Sequence, residues 1–166
     1  VAYEGLTLGA YGAERENRNP TANTTIGDEF NGSWFVNYSM GPVAIGYQET
    51  YVDAGLAEGG NDYTTTLAKT VGTSGGIFDS QSMSIAFNVN DDLSISYSET
   101  EDTYDAQSDL ASTEVADVTQ ESDSFQIAYS MGAMSIKAYS TEIANPRYDS
   151  NAATLNVNEI ALGLAF

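Results

Sequence analysis

The sequence contains no histidine and no cysteine, and only five of its 166 residues are lysine or arginine, against 24 aspartates and glutamates. Imidazole bases, thiolate nucleophiles, disulfides, and zinc or copper sites with their usual ligands are therefore excluded. The formal charge of −19 repels phosphate backbones, so we expect no binding to nucleic acid. Carboxylates and hydroxyls are the main groups left for chemistry, and we expect no enzymatic activity, no metal site and no cofactor.

The sequence also lacks any run near the roughly 18 consecutive apolar residues that a membrane-spanning helix requires. Its amino end, VAYEG, has no basic region followed by an apolar stretch, so we expect a mature or cut chain without a targeting segment. A transmembrane β-strand, by contrast, needs only about ten residues of alternating character. The 15 glycines and 11 tyrosines, with abundant Ser, Thr and Asn, favour β-structure with a thin apolar face.

Alternation of apolar and small polar residues is clearest at 82–89, where every second residue is apolar. Period two predicts a strand, and the pattern resumes at 93–98 after a tight break, which predicts a hairpin. Two further segments, 34–50 and 125–142, repeat this design, and both carry Tyr-Ser-Met-Gly at the turn. With one strand before and one after the hairpins, we predict a single unit over 1–166 with eight strands, near 6–15, 30–40, 43–52, 80–90, 93–103, 122–131, 134–144 and 153–166.

The connections between the predicted strands are asymmetric. One end of each hairpin has a very short turn, whereas the other end leads into long polar stretches at 14–29, 53–79 and 99–123. Short turns at one end and long loops at the other are typical of outer-membrane barrels, so we predict an all-β, transmembrane antiparallel β-barrel. We expect the strands to be nearly uncharged on both faces, with apolar rows facing lipid, small polar rows facing a wet lumen, and the charge confined to the loops.

Aromatic residues gather near the predicted strand ends. Tyr and Phe favour strands in general, but several in register at one end are typical of the aromatic girdles at the two interfaces of membrane barrels. We also expect Tyr139 to lie further out, towards the long-loop interface. The girdle candidates are Tyr38, Tyr47, Phe87, Tyr97 and Tyr129.

Few charges interrupt the small polar rows. Because Lys137 follows Ile136, it faces the lumen if Ile136 faces lipid, and Glu159 faces the lumen by the same parity. The alternative is that Lys137 and Glu159 form an ordinary ion pair across neighbouring strands, which contributes little when solvated. The lumen-facing candidates are Lys137, Glu159, Arg15, Gln48 and Gln126.

Two other groups of charges lie near the predicted loops. Arg15 and Arg18 are close to Glu14 and Glu16 and are expected to form ion pairs there. The stretch 99–123 is rich in acids and has no base. Its carboxylates could bind divalent cations, but the regular spacing of a calcium loop is absent, so a solvated acidic loop is favoured. Paired carboxylates of a glycoside hydrolase would need a cleft for which the sequence gives no indication.

The segment YSMGAMSIKAY at 129–139 and the terminal NEIALGLAF at 158–166 resemble the carboxyl-terminal part of general porins from alphaproteobacterial outer membranes. The last strand places Ile160, Leu162 and Leu164 on one face and ends in Phe166. This ending is similar to the signal that the barrel-assembly machinery reads in outer-membrane proteins.

The resemblance implies a barrel of 16 strands, usually a homotrimer, with a constriction loop from the amino-terminal half. About eight strands are present, and the opening VAYEGLTLGAYG reads as the end of one strand, a turn at Tyr3-Glu4-Gly5 and the next strand. We therefore expect a carboxyl-terminal half or an incomplete sequence, to which no constriction residues can be transferred.

The resemblance also implies a function and a location. We expect an outer-membrane general diffusion porin of a Gram-negative bacterium, in contact with the lipid bilayer and passing small hydrophilic solutes and ions. Cations are expected to be preferred because the negative mouth and loops raise their local concentration. The alternatives are a complete eight-stranded, non-conducting outer-membrane barrel with acidic loops for adhesion or shielding, and a soluble secreted ligand-binding barrel.

Overall fold

The computed structural model describes residues 2–15, 25–26, 29–53, 57–58, 76–105 and 116–165, and most of these residues form β-strands. The strands in chain order are β1 (Ala2–Tyr3), β2 (Leu6–Arg15), β3 (Thr25–Ile26), β4 (Glu29–Met40), β5 (Val43–Asp53), β6 (Ala57–Glu58), β7 (Ile77–Asn88), β8 (Leu93–Asp105), β9 (Val118–Met131), β10 (Met134–Ala144) and β11 (Leu155–Leu164). A short 3-10 helix, Pro146–Tyr148, precedes β11. The described ranges contain no helix that combines the length and apolar character needed to cross a membrane.

Nine strands form one antiparallel sheet whose spatial order, β1-β2-β4-β5-β7-β8-β9-β10-β11, follows the chain order. β3 and β6 pair separately. The prediction of an all-β chain with eight long antiparallel strands is therefore confirmed. The sheet is not closed: within the described residues β11 has no partner beyond β10, and β2 is followed outward only by the two-residue β1. Closure into a barrel of 16 strands stays a prediction.

Tight turns join the strands at one end of the sheet. Gly41 and Gly132 stand at the first central positions of two-residue turns, with φ of 58° and 59°. Positive φ costs glycine nothing, and glycine at this position is the type II′ arrangement that matches strand twist. The β7–β8 turn is longer, and there the Asn90 side chain accepts hydrogen bonds from the backbone N–H groups of Asp92 and Leu93, each at 2.9 Å.

The predicted opening turn is also present. Glu4 and Gly5 have φ of 43° and 87° and join β1 to β2. Positive φ at both central residues is the type I′ arrangement, the second of the two turns that favour hairpins.

The sheet has two distinct faces because residues directly opposite each other in an antiparallel pair share a face. The apolar face contains the register row Leu6, Tyr38, Ile45, Ile85, Tyr97 and Phe125 and the residues two apart from these. The polar face contains the row Thr7, Asn37, Gly46, Ser84, Ser98, Ser124 and Thr141 and the residues two apart from these.

The described residues form a single layer. Tyr104, 5% exposed, is their only buried hydrophobic side chain, and none of their polar residues is buried. A sheet must normally bury one face against another element, so the stability of this layer depends on what covers it.

One prediction was wrong: the strands are not nearly uncharged. Both ends of the predicted acidic loop 99–123 are strand, since β8 continues to Asp105 and β9 begins at Val118. On the polar face of this extension Tyr104, opposite Val118, packs against Phe78 and Tyr148 and is the most buried hydrophobic side chain of the described residues. Acids therefore lie within the strands, and on the apolar face Glu101 lies directly opposite Glu121.

Candidate functional site

The apolar face is exposed across all eight long strands. Among the described residues, every exposed large hydrophobic side chain except Tyr11, Val89 and Leu155 lies on this face, and Ile160 and Leu162 are 79% and 62% exposed. Seven strand spacings make the face about 34 Å wide, and six residue steps of apolar strand make it about 20 Å tall, or about 700 Å². Soluble monomers rarely expose an apolar patch above a few hundred Å². The face therefore needs an apolar cover.

The outer limit of this apolar face moves steadily across the sheet. We take this limit on each strand as the last apolar side chain of this face, counted outward from the short turns. It is Tyr47 on β5, where an acid follows on the same face, and Ile160 on β11, where an amide follows. In the strand register Tyr47 lies level with Asn156, so the limit has moved four residues over five strand steps. With about 3.3 Å per residue and about 4.8 Å per strand, this shift is about 13 Å along the strands over about 24 Å across them. If the limit is a straight line, the strands are therefore tilted by about 30° from its perpendicular. Barrel strands are tilted by about 35–45°.

Acids mark this outer limit and accept hydrogen bonds from the aromatic side chains next to them. Trp34 Nε1 donates to Glu49 Oε2 at 2.7 Å, and the Tyr47 hydroxyl donates to Glu49 Oε1 at 2.5 Å. The Tyr97 hydroxyl likewise donates to Asp123 Oδ1 at 2.5 Å. Each ring has its apolar part on the apolar face and its polar group at the limit, as amphipathic rings do at an apolar–water boundary.

The predicted girdle residues Tyr38, Tyr47, Phe87, Tyr97 and Tyr129 all lie on the apolar face. Their role at a lipid interface stays a prediction. Tyr139 does not share that face with the girdle candidates, because it lies opposite Gln126 and Glu159 on the polar face. Alternation with Ala138, which follows Ile136 on the apolar face, explains this placement.

The polar face is lined by hydroxyl groups that satisfy one another across strands. Such cross-strand pairs each contribute roughly 0.2–1 kcal/mol to a sheet and leave further lone pairs for water. The Gln48 amide joins one of them and donates to Thr50 Oγ1 at 3.1 Å. The pairs are Ser33 with Thr50 at 3.2 Å, Ser82 with Thr100 at 2.8 Å and Ser124 with Thr141 at 2.8 Å.

All five lumen-facing candidates, Lys137, Glu159, Arg15, Gln48 and Gln126, lie on this polar face. Arg15 differs from the expectation in its partner. It forms an ion pair with Glu29 on β4 at 3.5 Å, directly across the strand pair, rather than with Glu14, which points to the apolar face. Arg18 and Glu16 lie outside the described residues.

Lys137 and Glu159 lie beside a shallow depression of about 320 Å³ on β8–β11. Lys137 is opposite Ala161 rather than Glu159, and no ion pair joins it to an acid among the residues described. Glu159 instead accepts a hydrogen bond from the Tyr139 hydroxyl at 2.9 Å. The predicted ion-pair alternative is thus not formed, and Lys137 places a positive charge on the polar face without an ion-pair partner among the described residues.

The connection between β10 and β11 folds onto the polar face, and we call residues 145–148 the strap. The Asn145 side chain donates to the Thr119 carbonyl at 2.8 Å, and the Arg147 backbone N–H donates to Gln120 Oε1 at 2.9 Å. Further along, Tyr148 reaches over β9 to β8 and β7. The strap therefore lies across three strands.

Tyr148 anchors the end of the strap. Its ring contacts Phe78 on β7 and Tyr104 on β8, with centroids 5.6 Å and 5.8 Å away, and its hydroxyl donates to Asp102 Oδ2 at 2.6 Å. Burial first, and then the hydrogen bond to Asp102, raise the pKa of the Tyr148 hydroxyl. The Tyr148 hydroxyl therefore stays protonated, and able to donate to Asp102, up to a higher pH than an ordinary tyrosine.

The sequence interpretation missed the strap. Its signal is the Asn-Pro-Arg-Tyr segment, since Asn before Pro marks a turn, but nothing local indicates that the turn bends back over the sheet. The assembly-signal candidate Phe166 lies outside the described residues. Within the part of the chain that the structure covers, no three acids are close enough together to hold a metal ion.

Comparison with known proteins adds no relative to this geometry. No family model, no curated protein and no solved structure matches the chain.

Proposed function

We propose that this chain forms part of the wall of a general diffusion porin, a water-filled β-barrel in the outer membrane of a Gram-negative bacterium. The observation that carries the proposal is the apolar band with its slanted, acid-marked limit. A flat boundary crossing tilted strands produces such a drift, and a bilayer is a flat boundary. The opposite, hydroxyl-lined face would then contact the water of the channel.

The strand lengths fit a bilayer as the apolar cover. The long strands contain 10 to 14 residues, and a tilted transmembrane strand needs about 9–11. Every interior strand is hydrogen-bonded on both sides, which lipid requires because it cannot replace a missing backbone hydrogen bond.

The width of the channel depends on strands beyond this sheet. Eight strands close to an interior that side chains fill, whereas about 16 leave an aqueous channel. The polar face carries mainly Ser, Thr, Ala and Gly, which fill little volume, so the wider barrel is favoured. The homotrimer and the recognition of Phe166 by the barrel-assembly machinery rest on the porin resemblance.

The distribution of charge refines the expected cation preference. Most strand acids lie on the apolar face near its outer limit. The polar face of the long strands has three acids and two bases, namely Glu29, Asp102, Glu159, Arg15 and Lys137. Selectivity would thus come from the field at the mouth rather than from the wall. Such a field is screened within about 10 Å at 0.1 M salt and about 3 Å at 1 M. We expect a preference for cations that weakens as salt rises.

The test is ion conduction by the full-length protein, extracted in detergent and inserted into a planar bilayer. We expect stepwise current increases and, under a tenfold KCl gradient, a reversal potential of the sign that indicates cation preference. This potential should be larger between 0.01 and 0.1 M than between 0.1 and 1 M. A preference for chloride would refute the selectivity.

Two other outcomes would refute the function itself. Insertion without current would favour a complete eight-stranded barrel, in which β2 closes on β11, and cross-linking between those strands would then be expected. Extraction of the native protein without detergent would favour a soluble barrel.

A further inference from the structure

The strap is held in an unfavourable backbone conformation. Asn145, Arg147 and Tyr148 have φ of 48°, 63° and 57°, in the left-handed region that residues with a Cβ rarely adopt. Such strain persists only where surrounding contacts over-determine it, and it gathers at functional positions. Here the contacts are those of Asn145 with β9 and of Tyr148 with β7 and β8.

The anchor packs against the most buried hydrophobic side chain of the described residues. Tyr148 packs on Tyr104, which is 5% exposed, and the bond to Asp102 Oδ2 leaves Asp102 Oδ1 buried without a hydrogen-bond partner. A simple outward-pointing loop would leave this carboxylate hydrated. The fold instead gives up that hydration to hold the strap against the polar face.

Arg147 sits between the two fixed points. Its backbone N–H is bonded to Gln120, the next residue is the anchor, and the residue itself is exposed. Within the described residues it forms no ion pair, unlike Arg15, which pairs with Glu29. The strap therefore presents a positive charge from a fixed backbone position over the polar face.

We infer that the strap is a constriction at the long-loop end of the channel and that Arg147 is a selectivity-determining residue there, opposing the cation preference of the acidic mouth. This inference rests on the proposed function, because it requires the polar face to line the lumen. In water, a unit charge about 7 Å from an ion's path, with its field about halved by 0.1 M salt, changes the local concentrations of cations and anions about 1.6-fold in opposite directions, so their ratio changes about threefold.

The absence of cysteine makes the charge at this position directly testable. Arg147→Cys in the full-length chain provides a single thiol, and the same channels can be measured before and after modification by a cationic or an anionic methanethiosulfonate reagent. Asp91→Cys, in the exposed β7–β8 turn at the opposite end, is the matched control. Both variants are compared by reversal potential under the tenfold KCl gradient between 0.01 and 0.1 M.

We expect Arg147→Cys to be more cation-selective than the unsubstituted protein. The cationic reagent should reverse this change, and the anionic reagent should raise the cation-to-anion permeability ratio by a further factor of about three. Modified Asp91→Cys should keep its ratio. If Arg147→Cys conducts but neither reagent alters its ratio, the strap inference is refuted and the porin proposal stands. Absence of current in the unsubstituted protein refutes both.

The constriction itself is tested through its anchor. Tyr148→Ala removes the ring and the hydroxyl and should raise single-channel conductance, whereas Tyr148→Phe keeps the ring packing and should raise it less. Equal conductance in all three proteins would show that the strap does not narrow the channel. Because Tyr148 lies outside the strands, the heat-resistant mobility of the barrel on gels serves as the folding control.

Discussion

The chain contains a single tryptophan, Trp34, which lies on the apolar face and is 42% exposed. If that face contacts lipid, brominated acyl chains will quench its fluorescence. Its indole N–H is bonded to Glu49 at the outer limit of the band, so bromines near the headgroups should quench it more strongly than bromines near the chain ends. Aqueous iodide should quench it weakly.

Two relocated tryptophans make the measurement quantitative. In a Trp34→Phe background, Ile85→Trp and Ser84→Trp differ by one residue and point to opposite faces. Gln81 on β7 lies level with Trp34 in the strand register, two strands away from it. Ile85 is on the same strand as Gln81 and lies four residues nearer the short turns. At a tilt of about 30° this places Ile85 about 7 Å deeper than Trp34.

Ile85→Trp should therefore be quenched best by bromines near the chain ends, and Ser84→Trp should be quenched by iodide and not by brominated lipid. Circular dichroism and gel mobility of each variant provide the folding controls. Stronger lipid quenching at position 84 than at position 85 would refute the assignment of the faces. Equal depth for positions 34 and 85 would refute the tilt.

Two stability predictions follow from the turns and the strand pairs, both measured as urea unfolding free energies in lipid vesicles. Gly132→Ala should cost about 1–2 kcal/mol, because φ is +59° although no atom lies within 4 Å of the new Cβ. Gly5→Ala should cost more, since its Cβ would lie 2.2 Å from the Ser39 carbonyl oxygen, and equal losses would contradict this ranking. Arg15→Gln should change stability by less than about 1 kcal/mol, because the Arg15 and Glu29 side chains are 73% and 25% exposed, and a loss above 2 kcal/mol would show that the pair is far less solvated than that.

The strands and the faces could be predicted because their signals are local. Period-two alternation placed β2 and β10 at 6–15 and 134–144, the limits that the structure has, and the same parity put Lys137 and Glu159 on one face. The glycines of Tyr-Ser-Met-Gly gave the short turns because their positive φ is a property of the residue itself.

What could not be predicted depends on contacts distant in sequence. The acid-rich ends of β8 and β9 looked like loop because strand propensity disfavours Asp and Glu, and the packing of Tyr104 against Phe78 and Tyr148 that justifies their pairing comes from β7 and the strap. Arg147 was overlooked for the same reason. Its importance depends on the contact of the next residue, Tyr148, with β7, which lies three strands away from β10.

The agreement between spatial order and chain order has a consequence for how such a wall can change. Each long strand hydrogen-bonds only to its neighbours in sequence, so a hairpin can be lost or duplicated by one contiguous genetic event without giving any other strand a new direction or exchanging its two faces. The strap is the exception, because it joins β10 to β7. We therefore expect the four strands from β7 to β10 to be retained together, whereas a change in the strands on either side of them would leave this contact intact.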